Sequence, residues 1–352
     1  MNERKRVFKL NDYLLKTYKL TKYYSEEKRI SFFSLGPGKS LVRAVDNINL
    51  FVHRNEVLGL VGESGCGKST LGKTIIRLEE PTSGKIFFED QDITNLSQER
   101  LKSHRKKMQI IFQDPASSLN PRKTVFEIIS QPLKVHGMVS NKSDTSDRVA
   151  DLLKKVGLEK SHMERYPHQF SGGQKQRICI ARAIALEPIF LVADEVVSAL
   201  DVSIQAQILN LLVILKNDLN LSILFISHDL SVVRQISDRV AVMYLGKIVE
   251  VAPSENLFSS PLHPYTQALM SAIPVPDVEI GWNPIILQGD TPSPSQRPQG
   301  CFFHPRCSKM IDICDKEDIS LNAVSQGHFV ACHLYSGRST LKKIIQAQRT
   351  WL

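Results

Sequence analysis

In Gly62-Glu63-Ser64-Gly65-Cys66-Gly67-Lys68-Ser69-Thr70, the first eight residues fit the pattern G-x-x-x-x-G-K-[ST]. They follow the apolar run Val57 to Val61 and precede the helical pattern Leu71 to Leu78. Few folds accommodate a strand that ends in glycines and turns at once into a helix. The glycines let the backbone curl so that successive N–H groups point inward, and the helix N-terminus adds partial positive charge. Such a loop binds phosphate. Lys68 can then reach the β- and γ-phosphates of a nucleoside triphosphate, and Ser69 can place its hydroxyl on Mg²⁺. Cys66 stands at a variable position and reads as a small spacer.

A triphosphate with Mg²⁺ also needs a carboxylate at the end of a neighbouring strand, where ligands of open α/β sheets bind. Ile189-Phe190-Leu191-Val192-Ala193-Asp194-Glu195 supplies two. Asp194 is expected to hold the metal through its water shell and Glu195 to polarise the attacking water.

Further strands are predicted at Lys85 to Glu89, Met108 to Phe112, Ser222 to Ile226 and Arg239 to Leu245, with two strand-type stretches within 41–62. Their alternation with helical segments predicts an α/β core with a largely parallel sheet. Between Asp114 and Leu186 the pattern is helical, including Arg148 to Val156 and Gln174 to Leu186, and reads as a helical insertion. Residues 25–42 read as a loop carrying a Gly-Pro-Gly breaker. From Pro253 onward prolines accumulate, so regular elements must be short there. A domain boundary is therefore expected near residue 255, and the final Leu341 to Leu352 reads as a short basic helix.

Composition limits the alternatives. The 352 residues are 42% apolar and 23% charged, which excludes disordered, collagen-like and disulfide-scaffold classes. The longest apolar run, Val240 to Leu245, is far short of the roughly 18 residues a spanning helix needs. MNERKRVFKLND carries positive charge with no apolar region behind it, so a secretory signal is not expected. The net charge of +9 fits nucleic acid, an anionic membrane surface, or simply a basic protein.

Other residues fall into an order that names a family. Gln113 follows the strand Met108 to Phe112, and Phe170-Ser171-Gly172-Gly173-Gln174 opens a helix. Ser198-Ala199-Leu200-Asp201 follows the acidic pair, and His228 follows the strand Ser222 to Ile226. Over residues 15 to 255 this resembles an ATP-binding cassette (ABC) ATPase, with its Walker A, Q-loop, signature, Walker B, D-loop and switch-histidine motifs. The resemblance implies a P-loop NTPase fold with a helical subdomain at about 114–186. It also implies that ATP lies on Gly62 to Thr70, with Mg²⁺ near Ser69, Gln113 and Asp194.

By the same resemblance Ser171, Gly172, Gly173 and Gln174 complete the ATP site of a partner subunit in a head-to-tail dimer. Gln113 senses Mg²⁺ and the attacking water and signals to a membrane partner. His228 contacts the γ-phosphate, and Glu195, His228 and Gln113 form the catalytic set. Tyr24, placed upstream of the first strand, is either the aromatic that stacks on adenine or an ordinary edge-strand side chain. Two positions depart from the family pattern: Phe170 replaces the usual leucine, and Val196 the usual proline after the catalytic acid. Neither removes a polar group.

Pro261-Leu262-His263-Pro264-Tyr265, Pro292-Ser293-Pro294 and Gly300-Cys301-Phe302-Phe303-His304-Pro305-Arg306-Cys307 resemble the C-terminal extension of the oligopeptide/dipeptide importer ATPases. Related importers carry nickel or glutathione. This extension is expected over 256–335, after a cassette spanning 1–255 and before a tail at 336–352. Cys301, Cys307, Cys314 and Cys332 are separated by 5, 6 and 17 residues, unlike the C-x₂-C spacing of a structural zinc site. A cytoplasmic chain disfavours two stable disulfides. For this cysteine pattern the resemblance implies a [4Fe–4S] cluster that staples an irregular segment; zinc and free thiols are the alternatives. Cys179 reads as core.

The expected function is thus that of an ATP-hydrolysing motor on the cytoplasmic face of the inner membrane. It would pair with a second, homologous ABC ATPase subunit and drive two transmembrane permease subunits, with an extracytoplasmic peptide-binding protein acting indirectly and no nucleic acid. The rivals are a nickel or glutathione importer motor, an inactive regulatory cassette, and a soluble cassette ATPase acting on nucleic acid. The last usually carries a coiled coil or a second cassette, and neither is visible.

Overall fold

The expected apolar runs are strands in the computed structural model, which describes residues 13–26, 40–273, 284–293 and 295–336. The chain begins with β1 (Tyr13–Glu26), β2 (Ser40–His53), β3 (Val57–Val61), α1 (Lys68–Ile75), β4 (Ser83–Phe88) and β5 (Gln91–Asp92). Then come α2 (Gln98–Lys107), β6 (Met108–Ile111), α3 (Pro115–Ser118), α4 (Val125–Val135), α5 (Lys142–Lys155) and α6 (Gly172–Ile184). After these follow β7 (Phe190–Asp194), α7 (Val202–Leu219), β8 (Ser222–Ile226), α8 (Leu230–Ile236), β9 (Arg239–Tyr244) and β10 (Lys247–Pro253). Last are α9 (Ser254–Ser259), α10 (Pro264–Ser271), β11 (Asn322–Ser325) and β12 (His328–Val330). The middle of the loop expected at 25–42 and the tail beyond residue 336 lie outside the described residues. The two ends of that loop are strand, in β1 and β2.

Internal contacts group the described residues into two compact units. The first draws on residues 13–17, Leu50–Val57 and Lys85–Ser227. Its strands β6, β7 and β8 run parallel, with Met108 opposite Phe190 and Asp194 opposite Ile226. Every residue of β7 and β8 is buried, as expected of apolar runs covered on both faces. Among the described residues no strand interrupts the stretch from α3 to α6, and α4, α5 and α6 pack on one another. Each helix of this unit starts where a side chain can satisfy its free N–H groups. Thr124 and Glu127 form a capping box on α4, Asn141 caps α5, and Asp201 caps α7.

The second unit draws on residues 18–26, 40–49, Leu58–Gly84, 228–273, 284–293 and 295–336. Here β3 runs parallel to β9, with Leu58 opposite Arg239 and Val61 opposite Val242. β9 turns back into β10 through Leu245 (φ 43°) and Gly246 (φ 82°), two consecutive left-handed residues that match a tight hairpin. β10 pairs with β12, and β12 with β11.

A buried polar knot joins β10 to the residues that follow it. The Glu250 carboxylate accepts the N–H groups of Leu262 (2.8 Å) and His263 (2.9 Å) and bonds His328 Nε2 at 2.7 Å. His263 Nδ1 accepts the N–H of Tyr265 and caps α10, so its proton resides on Nε2. Complete burial pushes the His263 pKa down to about 4, against the opposing pull of Glu250.

The depressed value means that the unfolded chain binds a proton between pH 6.5 and 4 and the folded chain does not. Stability from this group is therefore complete above pH 6.5 and falls as the pH drops toward 4. Urea midpoints are expected to place the protein about 2 kcal/mol lower at pH 5 than at pH 7 from this residue. His263→Asn, which keeps an acceptor at the cap, should flatten that dependence. An unchanged slope would assign it to other groups.

Candidate functional site

The phosphate loop belongs to the second unit. Gly62 (φ 152°) and Gly67 (φ 109°) take backbone conformations that side chains rarely adopt. A Cβ at Gly67 would lie 2.0 Å from the Ala44 carbonyl, and one at Gly62 2.1 Å from that of Met243. The loop can therefore curl this tightly only with glycine at both places. Lys68 is buried, and its ammonium donates to the carbonyls of Gly62 (2.8 Å) and Glu63 (3.0 Å). Cys66 is buried against Gly62; burial pushes its thiol up, and its carbonyl accepts the N–H of Gly246 at 2.9 Å. Ser69 and Thr70 lie in the first turn of α1. A buried cation, a glycine-curled backbone and a helix start suit a triphosphate, and the Ser69 hydroxyl is a hard oxygen suited to Mg²⁺.

Tyr24 lies inside β1 rather than upstream of the first strand. Its hydroxyl donates to the Glu79 carboxylate, and the Lys22 ammonium stands 4.8 Å from its ring centroid. His228 directly precedes Asp229, whose carboxylate caps α8 through the N–H of Ser231 (2.9 Å).

Contacts from the C-terminal residues onto this same unit were not anticipated from the sequence. The Glu63 carboxylate accepts the Thr291 hydroxyl at 2.6 Å and Arg306 Nη1 at 3.0 Å to each oxygen. The Glu63 N–H donates to the Tyr265 hydroxyl at 2.9 Å. Phe303 is buried with its ring centroid 5.4 Å from those of Tyr244 and Tyr265. Arg297 pairs with Asp46 at 2.5 Å, and Tyr23 donates to the same carboxylate at 2.6 Å. No local pattern announces these contacts.

The first unit holds the acids. Asp194 is the last residue of β7 and is buried. Glu195, the next residue, has φ 48°, a strained value for a residue with a side chain. Its N–H donates to the Ile226 carbonyl at 2.9 Å, and the Ser198 hydroxyl donates to its carbonyl at 3.0 Å. The Gln113 amide donates to Glu195 Oε2 at 2.8 Å, so these two predicted site residues meet. Between them an amide donor and a carboxylate acceptor can orient and deprotonate a water.

In the same unit Ser171 and Gln174 cap α6 reciprocally: the Gln174 N–H donates to Ser171 Oγ (3.3 Å) and the Ser171 N–H to Gln174 Oε1 (3.1 Å). Gln174 is thereby occupied within the helix start. A Cβ on Gly173 would lie 2.5 Å from Ile204 Cγ2, so this position needs glycine for packing. Phe170 and Val196, the two departures from the family pattern, are both buried. Cys179 is buried in α6, 3.2 Å from Ser118 Oγ.

The iron–sulfur expectation for Cys301, Cys307, Cys314 and Cys332 is overturned. Among the described residues no group of three or more His, Cys, Asp or Glu side chains is arranged to hold a metal ion. All four cysteines are free. Burial, reinforced by the neighbouring cysteines, pushes the Cys301, Cys307 and Cys332 thiols up, Cys332 to about 11. Other contacts hold the segment. Phe303, Arg306 and Arg297 anchor it, Cys301 N–H donates to the Cys314 carbonyl at 2.8 Å, and β12 pairs with β10.

A glycine-curled phosphate loop on a buried parallel strand, together with a strand-end aspartate and a neighbouring glutamate, defines an ATPase of the P-loop class. Comparison with known proteins narrows the class. The ABC transporter family model matches residues 45–198, and the model of the oligopeptide/dipeptide transporter C-terminal region matches residues 249–314. The chain is 54% identical to the oligopeptide transport ATP-binding protein AppF of Bacillus subtilis, over 84% of this chain and 90% of that one. It is 48% identical to a probable peptide ABC transporter ATP-binding protein of Sinorhizobium fredii, over 92% and 91%.

Among solved structures, a dimeric ATP-binding cassette with ADP and phosphate bound in a post-hydrolysis state aligns with a TM-score of 0.60 at 28% identity. That alignment covers 68% of this chain and 98% of the other. CbiO1 of Clostridium perfringens, part of an ABC transporter complex, aligns with 0.59 at 29%, over 71% and 92%. The chain belongs to the ABC transporter family, as one of its ATP-binding proteins.

Proposed function

We propose that this chain is the ATP-hydrolysing motor of a membrane importer for di- and oligopeptides. One observation carries the cargo class: the match of residues 249–314 to the oligopeptide/dipeptide transporter C-terminal region, in the same chain as the phosphate loop. In this reading residues 1–255 are the cassette, with a helical subdomain at about 114–186. Residues 256–335 are a small C-terminal domain and 336–352 a tail.

ATP would lie on Gly62 to Thr70 with Tyr24 on the adenine, and Mg²⁺ would be held by Ser69, Gln113 and Asp194. Glu195 takes the proton of the attacking water, oriented by Gln113, and His228 stabilises charge on the γ-phosphate. Ser171, Gly172 and Gly173 serve the nucleotide of a homologous companion cassette. Among the described residues no helix is long and apolar enough to cross a membrane. The proposal assigns the crossing to two permease subunits, fed from outside by a peptide-binding protein, with this chain peripheral on the cytoplasmic side of the inner membrane.

The test is uptake of labelled di- and tetrapeptides into vesicles carrying the complex purified with its membrane partners. Uptake that requires ATP on the side of this chain is the expected result. Uptake of nickel or glutathione without peptide would replace the cargo. ATP hydrolysis stimulated by nucleic acid, without transport, would replace the class.

A further inference from the structure

The phosphate loop has a feature that its own chemistry does not require. Glu63, the residue after its first glycine, carries a negative charge into a loop whose ligand is a polyanion. Left alone, that carboxylate would oppose the ligand. It is not left alone: Arg306 Nη1 stands 3.0 Å from both of its oxygens, and the Thr291 hydroxyl donates to it at 2.6 Å and accepts from Arg306 at 3.2 Å. The Arg306 side chain is 10% exposed and that of Glu63 24%, so water screens the pair only partly. The backbone is fixed as well, since the Glu63 N–H is committed to the Tyr265 hydroxyl. That same Glu63 supplies one of the two carbonyls that hold the Lys68 ammonium. The turn bearing Arg306 is seated by Phe303 against Tyr244 and Tyr265.

We propose that Arg306 is a positioning residue for the nucleotide, acting through Glu63: it neutralises and fixes the first bend of the phosphate loop, so that the C-terminal segment sets the affinity of the site. The proposal rests on the reading of Gly62 to Thr70 as the ATP site. Linkage makes the coupling reciprocal, so bound nucleotide also tightens the seat of the C-terminal segment.

The test is a double-mutant cycle on the full-length chain, read as the Kd of fluorescent ATP. Arg306→Gln leaves Glu63 charged and without its cation, and the expected result is a Kd raised about tenfold, equivalent to about 1.4 kcal/mol. In a Glu63→Gln background the same change at Arg306 should cost less than threefold, because no charge is left to neutralise. Arg306→Lys keeps the charge and should recover most of the affinity. Thr291→Val, which removes one donor outside the loop, should raise Kd about threefold and serves if Arg306→Gln fails to fold.

Equal losses from Arg306→Gln in both backgrounds would overturn the proposal, as would a Kd unmoved by both Arg306→Gln and Thr291→Val. Lys68→Met separates the two readings. If it abolishes binding while Arg306→Gln does not weaken it, only the positioning role fails. If it too leaves Kd unchanged, the loop itself has been misread.

Discussion

Glu195→Gln is expected to leave ATP bound and to stop its hydrolysis. The replacement is nearly isosteric, and its side-chain oxygen can still accept the Gln113 amide that now stands 2.8 Å from Glu195 Oε2. The left-handed backbone at this position, the N–H bond to Ile226 and the hydroxyl of Ser198 are indifferent to the change. What is lost is the group that takes a proton from water, a contribution of about 10²–10⁴-fold in rate. Phosphate release at saturating ATP should fall by that factor, while equilibrium binding of ATP persists and the melting temperature holds. Steady turnover in this variant would remove Glu195 from the catalytic set and direct attention to His228.

The second large effect is at Lys68. Its ammonium is buried and held by two loop carbonyls, so Lys68→Met deletes a cation while keeping most of the side-chain volume. Charge-assisted hydrogen bonds contribute about 1.5–3 kcal/mol each. Loss of those to a triphosphate should raise Kd at least about 100-fold, or about 2.7 kcal/mol. Isothermal titration with ATP checks this, and a thermal melt alongside it separates lost binding from lost folding. Undiminished binding would contradict the phosphate-loop assignment at its centre.

Much of this arrangement was legible in the linear chain because it is local. The runs ending at Val61, Asp194 and Ile226 are short and buried throughout, and the one ending at Ile111 is short and buried at both ends, so pattern and length identified them. Gln113 and Glu195 were expected at one site from their motifs, and the structure joins them by a hydrogen bond. β10 was missed because a register shift between Ile248 and Glu250 breaks its alternation and because Glu250, a charged residue, is wholly buried there.

The C-terminal extension was recognised, but the iron–sulfur reading of its four cysteines failed for a different reason. Cysteine spacing does not report whether the side chains are arranged to hold a metal ion, and among the described residues no such group is found. Nor does any local pattern say that Arg306, 243 positions away, belongs to Glu63. Contacts of that range are set by packing, and here the packing is that of Phe303.

The placement of Phe303 has a practical corollary for anyone who would trim this protein. A version ending at residue 290 would turn the rings of Tyr244 and Tyr265 out to water, strip the counter-ion from Glu63 and unpair the outer edge of β10. Exposed aromatic faces beside an open strand edge invite self-association. The ATPase and its appendix are therefore one inheritable piece, and a gene that lost the last sixty codons would yield an aggregate rather than a simpler engine.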